Sequence, residues 1–113
     1  MDCLFCKIIS GEIPSDKVYE DEKIYAFKDI DPQAPVHILI IPKKHIDSLD
    51  EIDESDSELL SYILLKIKDL AKEFELDKGY RVVINTKEDG GQSVNHLHFH
   101  LLGKRSLQWP PGW

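Results

Sequence analysis

Residues 95–103 read Asn-His-Leu-His-Phe-His-Leu-Leu-Gly and carry His96, His98 and His100, three of the five histidines in the chain. Successive side chains of an extended strand point to opposite faces, so the three imidazoles share one face while Leu97, Phe99 and Leu101 share the other. Neighbouring rings on such a face stand about 7 Å apart. Three readings compete: a solvated face, a metal site, and phosphate chemistry. Three nitrogens on one straight strand are too widely spaced to meet a single tetrahedral ion at about 2.0–2.1 Å. A solvated face would place three imidazoles in register without purpose. Phosphate chemistry suits them, because a neutral imidazole attacks phosphorus and a protonated one acts as acid or anion partner. The phosphoramidate so formed is itself labile to water, and flanking donors stabilise charge on the non-bridging oxygens.

A second constellation draws one of these histidines together with distant residues. Cys3, Cys6, His45 and His96 are spaced Cys-x2-Cys-x38-His-x50-His. Two thiolates and two imidazoles suit a closed tetrahedral zinc site, which would pin the amino-terminal segment to the rest of the fold. His96 would then serve structure and the orientation of its neighbours, leaving His98 and His100 for phosphate. Two alternatives remain for Cys3-x-x-Cys6. A redox pair normally sits between a strand and a helix, yet only two residues precede Cys3; the other alternative is two plain thiols.

Several elements must position these groups. Phe5, Ile8 and Ile9 predict a short helix ending at Gly11. Alternation predicts strands over 17–20 and 23–28, forming a hairpin around Asp21 and Glu22. A proline-rich loop over 29–35 leads into a buried strand over 36–41 that contains His37 and is closed by Pro42. The clearest helix starts at Ser55, where Ser55 and Glu58 form a capping-box pattern. Its apolar stripe runs through Leu59, Leu60, Ile63, Leu64, Ile67, Leu70, Ala71 and Phe74, with Gly79 as the left-handed residue beyond its end. Strands over 80–85 and 94–102 follow, joined by a loop over 86–91. Strands in hairpin and meander order with one long helix point to an α+β fold, an antiparallel sheet of about five strands with helices on a face.

The chain of 113 residues, 42% hydrophobic and 31% charged, fits one domain over 1–113 with its own core. A formal net charge of −7, with seven acids among the twelve residues 47–58, opposes the binding of a long nucleic acid. Those acids read as a solvated lead-in to the helix. No run approaches the roughly 20 apolar residues of a membrane-spanning helix, and no secretory pattern opens the chain. A cytoplasmic location is the expectation. The tail, Trp109-Pro110-Pro111-Gly112-Trp113, is read as extended and apolar, a surface that calls for a partner.

Taken together, residues 85–102 resemble the signature of the histidine triad (HIT) family. The similarity extends through residues 27–37 and 41–46 and ends in Trp109-Pro110-Pro111-Gly112, so it covers nearly the whole chain. It is nearest to the histidine triad nucleotide-binding branch, the purine nucleoside phosphoramidases. Asn95 departs from the pattern, standing where some relatives carry an aromatic. The resemblance implies that His98 is the nucleophile, that His100 and His37 contact the phosphate, and that Ser93 hydrogen-bonds the leaving group or phosphate. It implies that Asn85, Gly91 and Gln92 shape the phosphate site and that Asp29 holds the ribose hydroxyls. Phe5, Ile8, Phe27 and Ile30 would wall the base. Asp29 also reads as a plain turn residue, Ser93 as a strand cap, and the four apolar residues as core. The implied activity is hydrolysis of nucleoside 5′-phosphoramidates and related adenylyl adducts through a nucleotidyl-histidine. Dinucleoside polyphosphate cleavage, or non-catalytic nucleotide binding, are the alternatives. The implied assembly is a homodimer with sheets joined edge to edge and the tail over 104–113 at the interface.

Overall fold

The computed structural model describes residues 3–111. Its elements, in chain order, are α1 (Leu4–Ile9), β1 (Lys17–Glu20), β2 (Ile24–Lys28), β3 (Val36–Pro42), α2 (Ser57–Glu73), β4 (Tyr80–Val83), α3 (Lys87–Gly90) and β5 (Phe99–Gly103). The strands form one five-stranded antiparallel sheet in the order β1-β2-β3-β5-β4. The fold is α+β with a short amino-terminal helix and one long helix, as the apolar patterning predicts. The order is not a simple meander, because β5 inserts between β3 and β4. That insertion sets the histidines of β5 beside His37 of β3.

Alternation along the central strands divides the core between two faces. Ile24 and Ala26 of β2, Ile38 and Ile40 of β3, and Phe99 and Leu101 of β5 face α2, where they pack with Ile63, Ile67, Leu70 and Ala71. The opposite residues Tyr25, Phe27, Leu39 and Ile41 pack under α1 with Cys3, Phe5 and Ile8. β3 is buried on both faces, which explains its nearly unbroken apolar sequence. Leu64, counted in the helical stripe from the sequence, is 55% exposed. The stripe is narrower than eight residues suggest, because α2 rests on the sheet along Ile63, Ile67 and Leu70.

Three boundaries also differ from the sequence reading. The capping box belongs to Asp53 and Asp56 around a 3₁₀ turn over Glu54–Asp56, and α2 begins only at Ser57. Carboxylates at those two positions satisfy each other's backbone N–H groups, so Ser55 and Glu58 are not needed for it. Strand β4 stops at Val83 rather than at 85, and the loop over 86–91 contains α3, closed by Gly91 at φ 77. The left-handed residue directly after α2 is Glu75 (φ 59), with Gly79 (φ 116) further on. Finally, β5 begins at Phe99, so His96 and His98 precede the strand. Leu97 N–H donates to the Ile46 carbonyl at 2.7 Å and His96 N–H to that of Val94 at 2.8 Å, which takes both out of the sheet ladder.

A candidate active site beside a Cys/His cluster

All five histidines lie in two adjoining groups. In the first, β3 and β5 hold His37 and His100 with Nε2 of the former 2.9 Å from Nδ1 of the latter. The backbone N–H of Gln33 donates to His37 Nδ1 at 3.0 Å. A peptide N–H can only donate, so the neutral His37 ring carries its hydrogen on Nε2 and gives it to His100 Nδ1. His100 must then carry its own hydrogen on Nε2, a buried atom with no partner among the described residues. Asp29 Oδ2 lies 3.4 Å from His37 Nε2, the side on which that hydrogen resides.

The third ring is fixed differently. His98 Nδ1–H donates to the carbonyl of His96 at 2.6 Å, which leaves the lone pair on Nε2. Phe5 of α1 presents its ring to His98 edge-on, with centroids 5.1 Å apart, and His98 and His100 are 5.0 Å apart. That spacing is closer than the 7 Å of a straight strand because the chain leaves the ladder before His98. Burial, first of all, pushes His98 below the ordinary imidazole range, only partly offset by the His96 carbonyl. Burial likewise lowers His37. Burial with the neighbouring His98 and His37 pushes His100 down to about 4. All three rings are therefore neutral near pH 7. The site presents one nucleophilic lone pair and one unpartnered N–H, the pair of functions that attack at phosphorus requires.

In the second group, Cys3 Sγ lies 3.3 Å from His96 Nδ1, Cys6 Sγ 3.3 Å from His45 Nδ1, and Cys6 Sγ 3.6 Å from His96 Nδ1. The four ligand atoms lie within 4.8 Å of one another. Bonds of about 2.3 Å to sulfur and 2.0–2.1 Å to nitrogen in a tetrahedron give sulfur–nitrogen edges of about 3.5 Å. The outer nitrogens are committed: His96 Nε2–H donates to the Pro42 carbonyl at 2.8 Å and His45 Nε2–H to Asp47 Oδ1 at 2.6 Å. Both rings thus turn unprotonated Nδ1 atoms towards the sulfurs, the arrangement metal-binding histidines adopt. Burial, then the neighbouring Cys3, pushes the Cys6 thiol up to about 11. A cation would offset that cost, so the donor set fits zinc. Asp29, His37 and His100 also come together. The hydrogen required on His37 Nε2 makes that trio unsuited to a metal.

The other candidate residues are distributed as follows. Phe5, Ile8 and Phe27 are buried together, with Phe5 and Phe27 in edge contact at 5.5 Å, whereas Ile30 is fully exposed. Asp29 Oδ1 accepts from Asp31 N–H, a turn contact, while Oδ2 faces His37. Gln92 is engaged in its own loop: Oε1 accepts from Lys87 N–H, and Nε2 donates to the carbonyls of Asp47 and Val94. Gly91 caps α3, Asn85 is half-buried, and Ser93 is exposed beside a cavity of about 470 Å³ that Cys3, His45 and Asp47 also line. Gln33 and Asp47 were not legible as site residues. Gln33 acts through its backbone, which no side-chain pattern reveals. Asp47, two residues after a ligand histidine, carried the one available signal, a carboxylate within reach of the outer nitrogen.

Residues 10–107 match a family model described as HIT domain. A 14 kDa zinc-binding protein of Zea mays is 55% identical over 111 residues, covering 96% of this chain and 87% of its own. The crystal structure of a HIT family hydrolase from Legionella pneumophila superposes with a TM-score of 0.97 at 55% identity, covering 98% of this chain and all of the other. A histidine triad nucleotide-binding protein from Candida albicans gives a TM-score of 0.83 at 42% identity, over 96% of this chain and 83% of its own.

Proposed function

Because the chain belongs to the HIT family, with hydrolases among its structural neighbours, we propose that it hydrolyses nucleoside 5′-phosphoramidates and related adenylyl adducts through a nucleotidyl-histidine. The observation that carries this reading is the pairing of His98 Nε2, a lone pair, with His100 Nε2–H, a buried donor without an acceptor among the described residues. An unsatisfied buried donor costs about 1–3 kcal/mol, a cost that a phosphoryl oxygen removes. Pure nucleotide binding gives no role to the His98 lone pair. In the first step His98 Nε2 attacks the α-phosphorus in line, a P–N bond to the ring forms, and the bond to the amine breaks, the amine nitrogen taking a proton from solvent as it leaves. In the second, water attacks the same phosphorus and gives a proton to solvent, the bond to His98 breaks, and the lone pair returns to Nε2. His100 Nε2–H holds a non-bridging oxygen throughout, backed by His37 and the Gln33 N–H. Ser93 binds the leaving group, Asp29 Oδ2 the ribose, and Phe5, Ile8, Phe27 and Ile30 the purine. The phosphate is framed by the loop that carries Asn85, Gly91 and Gln92.

The chemistry itself needs no metal. Cys3, Cys6, His45 and His96 would hold a structural zinc, which supplies the cross-link between α1 and the sheet. The protein is proposed to work as a homodimer joined along β4, an edge strand on which Tyr80 and Val82 are 44% and 37% exposed. Mixing the protein with adenosine 5′-phosphoramidate and quenching early should give an intact mass increased by one adenylyl group. His98→Ala should show no adduct and a turnover lower by at least about a thousandfold. Turnover that persists in this variant would remove His98 as nucleophile. Faster cleavage of dinucleoside polyphosphates than of phosphoramidates would favour that alternative leaving group.

A further inference from the structure

The hydrogen on His100 Nε2 is set from a distance. Its position follows from the hydrogen on His37 Nε2, and that in turn from the Gln33 N–H aimed at His37 Nδ1. If the Gln33 peptide turned away, His37 could carry its hydrogen on Nδ1 instead. His100 Nδ1–H would then donate to His37 Nε2, and His100 Nε2 would become a lone pair. A lone pair there repels the phosphoryl oxygen that an N–H would bind. Two rings at one distance thus support or oppose the reaction according to the direction of one backbone N–H.

Gln33 is exposed, in the loop that precedes the ladder of β3. Its side chain ties it to that same loop, Nε2 donating to the Asp31 carbonyl at 3.0 Å. Arg105 reaches it from beyond β5, where Nε–H donates to the Gln33 carbonyl at 2.9 Å. The Gln33 main chain is therefore held at both ends, its N–H by His37 and its C=O by a guanidinium. Lys104, directly before Arg105, has φ 68, a left-handed conformation unfavourable for a residue with a Cβ. That turn follows Gly103, the ladder partner of Val36, and sets Arg105 beside the loop that leads into β3. Lys104 is itself tethered, with Nζ donating to the Glu75 carbonyl at 2.8 Å.

We infer that Arg105 is a positioning residue for the reaction: by holding the Gln33 carbonyl it keeps His37 and His100 in the tautomers that give His100 an Nε2–H. The inference rests on the reading of that N–H as the phosphate contact, but its decisive measurement uses no substrate. Deleting one preorganised donor to a developing oxyanion costs on the order of a hundredfold in kcat.

Native protein, Arg105→Met, Arg105→Lys and Lys104→Gln are compared by ¹⁵N imidazole spectra, circular dichroism and phosphoramidate turnover. A ring nitrogen with a hydrogen and one without it differ widely in ¹⁵N shift, so the spectra read the tautomers directly. Arg105→Met keeps the length of the side chain without its donors, and because Arg105 is exposed the fold should tolerate it. The signals of His37 and His100 should move towards the opposite tautomers, while that of His98 stays. Turnover should fall about tenfold in kcat, less than for a deleted donor, with KM within about threefold. Arg105→Lys, whose ammonium also donates to a carbonyl, should recover most of the native spectrum. Lys104→Gln loosens the same tail without touching Gln33 and should keep the native signals. A folded Arg105→Met protein with native His37 and His100 signals overturns the inference. Shifts in Lys104→Gln equal to those of Arg105→Met overturn it too, because the tail as a whole would then be the cause. Turnover surviving in His98→Ala would instead defeat the proposed reaction while leaving the spectral result standing.

Discussion

At the scale of single residues, the direction of each hydrogen bond decides the chemistry. One backbone N–H, that of Gln33, orients the hydrogens of two rings in succession and ends in the buried Nε2–H of His100. The same burial that keeps these rings neutral makes the fold sensitive to acid. His100 titrates near 6.5 when unfolded and at about 4 in the fold. The unfolded chain therefore binds more protons between these values, and stability falls as pH drops through that window. Stability is fully present above about pH 6.5 and is lost progressively towards pH 4. Urea unfolding at pH 7 and pH 5 should show a larger drop in midpoint for the native chain than for His100→Gln. Equal drops would mean that His100 is not held neutral by its surroundings.

At the scale of elements, the turn between β1 and β2 is fastened to α2 by Asp21. Its carboxylate accepts from the hydroxyls of Tyr62 and Tyr19 and from the backbone N–H groups of Lys23 and Ile24. Burial raises this group, but those four donors together outweigh it and hold the carboxyl down at about 2. Lys66 lies over both tyrosine rings, 5.0 Å from the centroid of Tyr19 and 5.4 Å from that of Tyr62. Tyr62→Phe removes one charge-assisted bond across the contact between hairpin and helix. It should lower unfolding free energy by about 2 kcal/mol in a denaturant titration without altering turnover. The hairpin itself was legible, because β-branched and aromatic residues alternate over 17–28. The link to α2 was not, since it joins residues 41 apart in sequence.

At the scale of the whole molecule, the sheet has an edge strand on each side, β1 and β4. β4 is short, borders only β5, and exposes Tyr80 and Val82. Such an edge invites pairing with a second copy. Leu64 and Leu65 of α2 add further exposed apolar surface at 55% and 57%. If the proposed dimer joins along β4, Val82→Lys should sediment as a monomer in analytical ultracentrifugation where the native protein sediments as a dimer. A variant that sediments like the native protein would locate the interface elsewhere. Part of the tail is tied to its own subunit: Arg81 donates to the Gln108 carbonyl and Lys104 to that of Glu75, while residues 109–111 form a turn with Trp109 exposed. Gly112 and Trp113 lie outside the described residues.

Local chemistry was written in the chain. The spacing of three imidazoles, the stripe of α2 and the alternation of β2 each follow from side-chain periodicity, and the set of Cys3, Cys6, His45 and His96 from the donor chemistry of its residue types. A period of 2 or 3.6 leaves its mark within a few consecutive residues. The position of β5 between β3 and β4, which brings His37 to His100, depends on pairing across 63 residues and leaves no local mark. The start of β5 was misjudged for a related reason: apolar alternation continues back to residue 94, yet the ladder partners do not. That division between strand and pre-strand chain separates the supporting His96 from the reactive His98, and tertiary packing alone decides it.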